Sequence, residues 1–153
     1  MIWKLSEDQI EEVLSQNVFG HLGCNDGFNT FVYPINYIYD GKFIIGHSQN
    51  GSKIKAMRQN KSVCLQVDEI KDFTNWKSVL ILGEYQELED ERERYMAIKV
   101  FVERNLHLKI NNPLLLTGTS EQHKQLLSQG DQKSIIYRIL IGEKNGRFES
   151  DHP

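Results

Sequence analysis

The residues of this chain best suited to chemistry form one short stretch, Gly46-His47-Ser48-Gln49-Asn50-Gly51-Ser52-Lys53. An apolar run, Phe43 to Ile45, leads into it, and a segment with helical spacing, Ile54 to Arg58, leads out. That order predicts a strand-to-helix turn, and such a turn can hold an anion. The first backbone N–H groups of a helix are unpaired and carry partial positive charge. Ser48 and Ser52 can donate further hydrogen bonds, and Lys53 adds a full charge. Gly51 allows close backbone approach or a positive φ. The glycine spacing matches neither a Walker A loop nor a dinucleotide fingerprint. Taken alone, the same residues also suit an ordinary turn in which Asn50 caps the helix and Lys53 is solvated.

Other polar side chains are weaker candidates. A protonated His47 could donate to a phosphate or an anionic substrate; its alternative role is to hold the loop through a backbone hydrogen bond. His21 follows Gly20 in a predicted strand and reads as structural. His107, His123 and His152 are too dispersed for a metal site, so no metal is expected. Asp68 and Glu69 are adjacent on a strand and point to opposite faces, which argues against an acid/base pair. Lys55 and Arg58 lie one turn past Lys53, where an exposed helix face is expected. Cys24 and Cys64 sit among apolar neighbours without a closely spaced partner, so free buried thiols are expected rather than zinc or a disulfide.

The elements that must position these groups follow from local signals. Ser6-Glu7-Asp8-Gln9 reads as a capping box opening a helix to Gln16-Asn17, with Ile10, Val13 and Leu14 on one face. Val18–Cys24, Phe28–Tyr39 and Lys42–His47 read as strands joined at Asp26-Gly27 and Asp40-Gly41, an antiparallel meander. Pro34 inside the second strand marks an edge, a bulge or a backbone row that pairs with something other than a strand. A helix over Ser52–Gln59 is followed by strands at Ser62–Asp68 and Trp76–Leu88, with a polar loop at Ile70–Asn75 and a bulge or bend at Gly83. Glu89–Asn105 is helical, with Tyr95, Ile98 and Val102 on one stripe. Leu106–Thr119 reads as irregular, Ser120–Leu127 as a short helix, Ser134–Ile141 as the last strand and Gly142–Pro153 as a looser tail.

The bulk properties bound the function. A chain of 153 residues suits a single domain, spanning 1–153, with a real core. A net charge of −3 argues against a general nucleic-acid binder. No run approaches the ~18 apolar residues of a membrane helix. The N-terminus turns acidic at Glu7-Asp8 without the apolar core of a signal peptide, so a cytoplasmic protein is expected.

Phe31-Val32-Tyr33-Pro34-Ile35-Asn36-Tyr37, then Gly46-His47-Ser48 with Gly51 and Lys53, then Val63-Cys64-Leu65-Gln66-Val67-Asp68, then Trp76-Lys77-Ser78-Val79 with Gly83 occur in this order. Together they resemble the FMN-binding split β-barrel family related to pyridoxamine 5'-phosphate oxidase, and within it the nitroimidazole-resistance-like flavoproteins. The resemblance covers most of the chain. It implies a mainly β fold with peripheral helices, a six-stranded antiparallel split β-barrel, and a homodimer with FMN in a groove at the interface. His47, Ser48, Gly51 and Lys53 match positions around the phosphate. Tyr33, Pro34, Ile35 and Asn36 match the strand facing the isoalloxazine ring. Trp76, Lys77, Ser78 and Val79 match a strand motif that lines the cofactor site. The implied function is an oxidoreductase reducing a small molecule, with His47 as the side chain that meets substrate or cofactor. A non-catalytic flavin- or haem-binding module, or a deazaflavin-dependent reductase, are the alternatives.

Overall fold

The computed structural model describes residues 1–111 and 134–152. Its described elements run β1 (Ile2–Lys4), α1 (Glu7–Gln16), β2 (Phe19–Asn25), β3 (Thr30–Asn36), β4 (Ile38–Tyr39), β5 (Phe43–Gln49), α2 (Ser52–Gln59), β6 (Ser62–Ile70), β7 (Trp76–Glu87), α3 (Glu91–Asn111) and β8 (Ser134–Glu149). The class is as expected, mainly β with helices outside. Eight strands rather than six form one curled antiparallel sheet, in the order β3-β2-β6-β7-β8-β5-β4, with β1 added beside β8.

The local signals explain most of these elements. Ser6 caps α1 through its hydroxyl while the Gln9 side chain bonds back to the Ser6 amide, and Ile10, Val13 and Leu14 are buried. Gly27 and Gly41 take φ of 99° and 92°, the left-handed turn geometry that Asp-Gly signals. At Gly83 the β7–β8 register shifts, and a Cβ there would fall 2.5 Å from the Leu140 carbonyl oxygen.

The expected three-strand meander is corrected. Phe28–Tyr39 is broken at Tyr37 into β3 and β4, which occupy opposite ends of the sheet path. β3 pairs with β2, whereas β4 pairs with β5 and β5 continues against β8. The chain therefore crosses from one sheet edge to the other within a residue, and the sheet curls until its two ends meet. The Tyr37 amide donates to the Val18 carbonyl at 2.9 Å, and the Tyr37 hydroxyl donates to the Leu14 carbonyl at 2.8 Å. β3 lies near β5 without pairing to it, so the barrel is split there.

The end of the chain also differs from expectation. The Gly142–Pro153 tail continues β8 as far as Glu149, paired with β7 on one side and with β1 on the other. Its charged residues conceal the strand, because one face meets solvent while Gly146 closely receives Ile10 of α1 and Leu5 from the segment before that helix. β6 extends through Ile70, shortening the predicted loop. α3 begins at Glu91 and continues through Asn111. Among its described side chains Ala97, Phe101 and Val102 are buried, whereas Tyr95 from the predicted stripe is 61% exposed. The expected helix at Ser120–Leu127, and residues 112–119 of the expected irregular segment, lie outside the described residues.

The barrel interior holds one apolar cluster built from Leu22, Leu65, Val67, Val79, Ile81 and Ile139, each at 0% exposure. The two cysteines are free thiols, Cys24 buried and Cys64 half-buried. They sit on adjacent strands but face opposite sides, as the Gly23–Cys64 pairing requires. Among the described residues no helix is long and apolar enough to cross a membrane.

Candidate functional site

The β5–α2 turn has the predicted strand-to-helix form. Asn50 does not cap the helix: the N-cap is Gly51, without a side-chain bond to the helix amides. Gly51 has φ −138°, an extended backbone, so the anticipated positive φ is not used. The start of α2 is consequently open to an external acceptor. Lys53 is half-buried on its first turn, with its ammonium 5.5 Å from the centre of the Tyr33 ring. The Tyr33 and Ser52 hydroxyls share a hydrogen bond at 3.2 Å, which ties β3 to α2. The Ser48 hydroxyl donates to the Gln49 carbonyl at 3.0 Å.

No carboxylate lies within 4.0 Å of the Lys53 ammonium among the described residues. Burial pulls its pKa below the ordinary lysine value. A desolvated cation beside an uncapped helix start is the chemistry of an anion site.

His47 stands on the face of β5 opposite Ile44 and Gly46, under α3. Its ring meets Phe101 edge-on, with centroids 5.0 Å apart and planes at 86°. Burial, and then the nearby Lys53 charge, push its pKa below the ordinary imidazole value. Both effects work against a protonated ring in the ligand-free protein.

Gly46 was visible in the sequence, but its reason was not. Tyr137 is its cross-strand partner, and a Cβ on Gly46 would fall 2.5 Å from the Tyr137 ring and hydroxyl. That hydroxyl is buried and has no hydrogen-bond partner among the described residues. Cross-strand glycine–aromatic pairing of this kind leaves no local sequence signal, because the partners are 91 residues apart (137 − 46).

The remaining predicted residues divide between places. β3 ends the sheet path, so among the described residues one row of its backbone groups has no strand partner, and Pro34 removes one N–H. Tyr33 and Asn36 are half-buried, Pro34 is exposed, and Ile35 packs into the core at 5% exposure. Val79 is likewise a core side chain, and Lys77 sits 3.9 Å from Glu69. Trp76 and Ser78 point to the outer sheet face and line a cavity of about 980 Å³. Gly23 pairs with Cys64, and Cys64 with Leu82. The Cys24 level, where Lys53 lies, is thus about six residues from Trp76, or roughly 20 Å along the strands. One chain does not bring Trp76 to Lys53.

Two pairs of groups behave structurally. Arg58 meets Glu87 at 2.5 and 3.2 Å in a two-pronged pair. Asp68 accepts from the Gln66 amide, whereas Glu69 accepts from Asn17, so the adjacent carboxylates face apart as expected.

The curled antiparallel sheet with helices outside is a split barrel. The chain belongs to the pyridoxamine 5'-phosphate oxidase family, whose model matches residues 6–126. A crystal structure of a FAD-binding protein from Mesorhizobium loti is 29% identical, with a TM-score of 0.70 over 98% of this chain and 99% of that one. A Bacteroides thetaiotaomicron protein whose proposed role is 5-nitroimidazole antibiotic resistance shares the fold at 16% identity, with a TM-score of 0.71 over 97% of this chain and 87% of that one. An uncharacterised protein of Rhizobium meliloti is 33% identical over 84 residues, which are 55% of this chain and 56% of that protein. The match thus spans about half the length of that curated relative.

Proposed function

We propose that this chain is an FMN-binding oxidoreductase acting on a small molecule, with the cofactor phosphate held at the start of α2. The observation that carries this reading is the half-buried Lys53 without a carboxylate partner, beside helix amides that no side chain caps. Ser52, and Ser48 after rotation of its hydroxyl, add neutral donors to the same anion. The unpaired edge of β3 offers N–H and carbonyl groups to the carbonyl and N–H rim of the ring. Tyr33 joins the two parts, because its hydroxyl bonds to Ser52 while its backbone belongs to β3. The FAD-binding relative from Mesorhizobium loti supports a flavin at this fold. When bound, the flavin supplies the redox chemistry, and the protein binds, orients and shields it.

The reading includes a homodimer. The outer sheet face exposes Val32 at 65% and Leu82 at 42% in one cross-strand row with Gly23 and Cys64, and Phe19 at 66% lies four residues along β2 on the same face. Packing two such faces would let Trp76 and Ser78 of one copy approach the phosphate cradle of the other. Two free thiols in place of a disulfide fit the cytoplasm.

The test is the visible spectrum and mass spectrum of the freshly purified protein. Flavin bands with the mass of FMN support the reading, and oxidation of a reduced nicotinamide with an added electron acceptor supports the enzyme. A colourless protein that takes up no FMN refutes both; a Soret band instead assigns haem.

A further inference from the structure

Two Asn-Gly steps occur in the chain, Asn50-Gly51 and Asn145-Gly146. An asparagine loses its side-chain amide most readily in this context. The backbone nitrogen of the next residue attacks the side-chain carbonyl carbon, and glycine puts no Cβ in the way. The fold treats the two steps in opposite ways. Asn145 and Gly146 lie inside β8, in register with Leu80 and Val79 of β7. The Gly146 carbonyl accepts from the Leu5 amide at 3.0 Å, Leu5 and Ile10 crowd its α-carbon, and the Asn145 side chain donates to Glu143 at 2.7 Å. The Gly146 nitrogen cannot swing towards the asparagine side chain without opening the sheet.

Asn50-Gly51 has none of these restraints. Both residues are exposed and stand between β5 and α2, outside the sheet. Among the described residues neither the Asn50 side chain nor the Gly51 amide has a hydrogen-bond partner. A Cβ on Gly51 would meet nothing closer than the Gln49 carbonyl oxygen at 4.0 Å, so a succinimide ring has room. The attacking group is the deprotonated amide, and the positive field of the α2 start and the Lys53 ammonium favours that anion. No carboxylate within 4.0 Å cancels the Lys53 charge among the described residues.

We propose that Asn50 is a self-modification site: in the ligand-free protein it converts to isoaspartate and aspartate, and the new carboxylate weakens anion binding at the start of α2. First the Gly51 nitrogen loses its proton, bonds to the Asn50 side-chain carbonyl carbon and expels ammonia, which leaves a succinimide. Water then opens either carbonyl of that ring and returns an acid at Asn50. Nothing is oxidised or reduced, and water is the co-reactant. The negative charge arises where the helix start and Lys53 otherwise favour an incoming phosphate. A phosphate already seated there offsets the same positive field and orders the turn, so occupancy protects the amide. The ligand half of the proposal rests on the flavin reading above; the modification itself does not.

The test ages the full-length protein at mildly alkaline pH, with and without FMN. Peptide mass mapping scores the amide-to-acid change at each asparagine, and isoaspartyl methyltransferase labels the iso-linked product. Asn50 should convert about ten-fold or more faster than Asn145. FMN should slow Asn50 several-fold and leave Asn145 unchanged. Freshly purified Asn50→Asp should bind FMN roughly two- to five-fold more weakly than the unsubstituted protein, with riboflavin affinity unchanged. Asn50→Gln should keep its FMN affinity through ageing. Equal rates at the two asparagines, no protection of Asn50 by FMN, or full FMN affinity in Asn50→Asp would each overturn the proposal. If the protein takes up no FMN, the flavin reading fails and the ligand half of the proposal fails with it, whereas the Asn50-to-Asn145 rate ratio still decides the modification.

Discussion

Lys53→Met separates what this lysine does for the fold from what it does for a ligand. In the ligand-free protein Lys53 contributes a cation–π contact with Tyr33 at 5.5 Å, worth about 0.5–1 kcal/mol. Against that stands the cost of holding an ammonium partly out of water without a carboxylate partner, which the downward pKa shift registers. The two oppose each other, and methionine keeps most of the apolar stem. The unfolding free energy of the ligand-free protein should therefore change by less than ~1 kcal/mol. Binding should respond differently. A charge-assisted hydrogen bond contributes about 1.5–3 kcal/mol, so FMN affinity should fall roughly 10- to 150-fold. Riboflavin lacks the phosphate, and its affinity should hold within about two-fold. Urea unfolding of the ligand-free protein, and titration followed by flavin fluorescence, measure the two quantities independently. Equal losses for FMN and riboflavin would refute the phosphate assignment. A ligand-free protein destabilised by more than ~2 kcal/mol would show that Lys53 serves packing instead.

Three further outcomes follow from the same geometry. Gly46→Ala puts a methyl 2.5 Å from the Tyr137 ring and should cost about 1–3 kcal/mol in urea unfolding, with an unchanged midpoint as the contrary result. His47 has a folded pKa below its unfolded value, so the unfolded chain binds more protons in that window. Stability of the ligand-free protein should therefore fall as pH drops below 6.5, and His47→Gln should flatten that slope; identical pH profiles would contradict a neutral buried imidazole. If Trp76 of one copy serves the cradle of the other, refolding Lys53→Ala and Trp76→Ala chains together in equal amounts should restore about a quarter of the sites, the statistical share from mixed dimers. No recovery above either variant alone would show that the two residues do not complement across copies.

Local chemistry made much of the fold legible. The Ser6 capping box and the two Asp-Gly turns are short-range devices, and each has its predicted form; the irregularity expected at Gly83 is there as a register shift, but the extra residue is Gly142 on β8. The prediction failed where distant pairing overrides local pattern. A strand ending at Ile141 is what the charged residues after Gly142 suggest. β7 and β1 supply hydrogen-bond partners that extend it to Glu149. Phe28–Tyr39 reads as one strand because its apolar content is continuous, yet barrel closure breaks it at Tyr37, whose side chain reaches Leu14 of α1. The candidate site behaves the same way. The strand-to-helix turn, its serines and its lysine could be read directly, since residues close in sequence form that turn. The downward pull on the His47 pKa could not, because it depends first on burial, to which Phe101 of α3 contributes, and then on the Lys53 charge.

The sequence alone determined a β-rich barrel domain, an anion-suited turn at Gly46–Lys53 and membership signals spread in order along the chain. Only the tertiary structure decided which groups share a space. It brought Tyr33 to Ser52 and Lys53, left Lys53 without a carboxylate, and put Trp76 at the far end of the sheet beside Phe73 and Arg147. The reason is physical. Turn and cap geometry arise from residues within a few positions of each other, whereas charge pairing, desolvation and cavity shape depend on strands brought together from opposite ends of the chain.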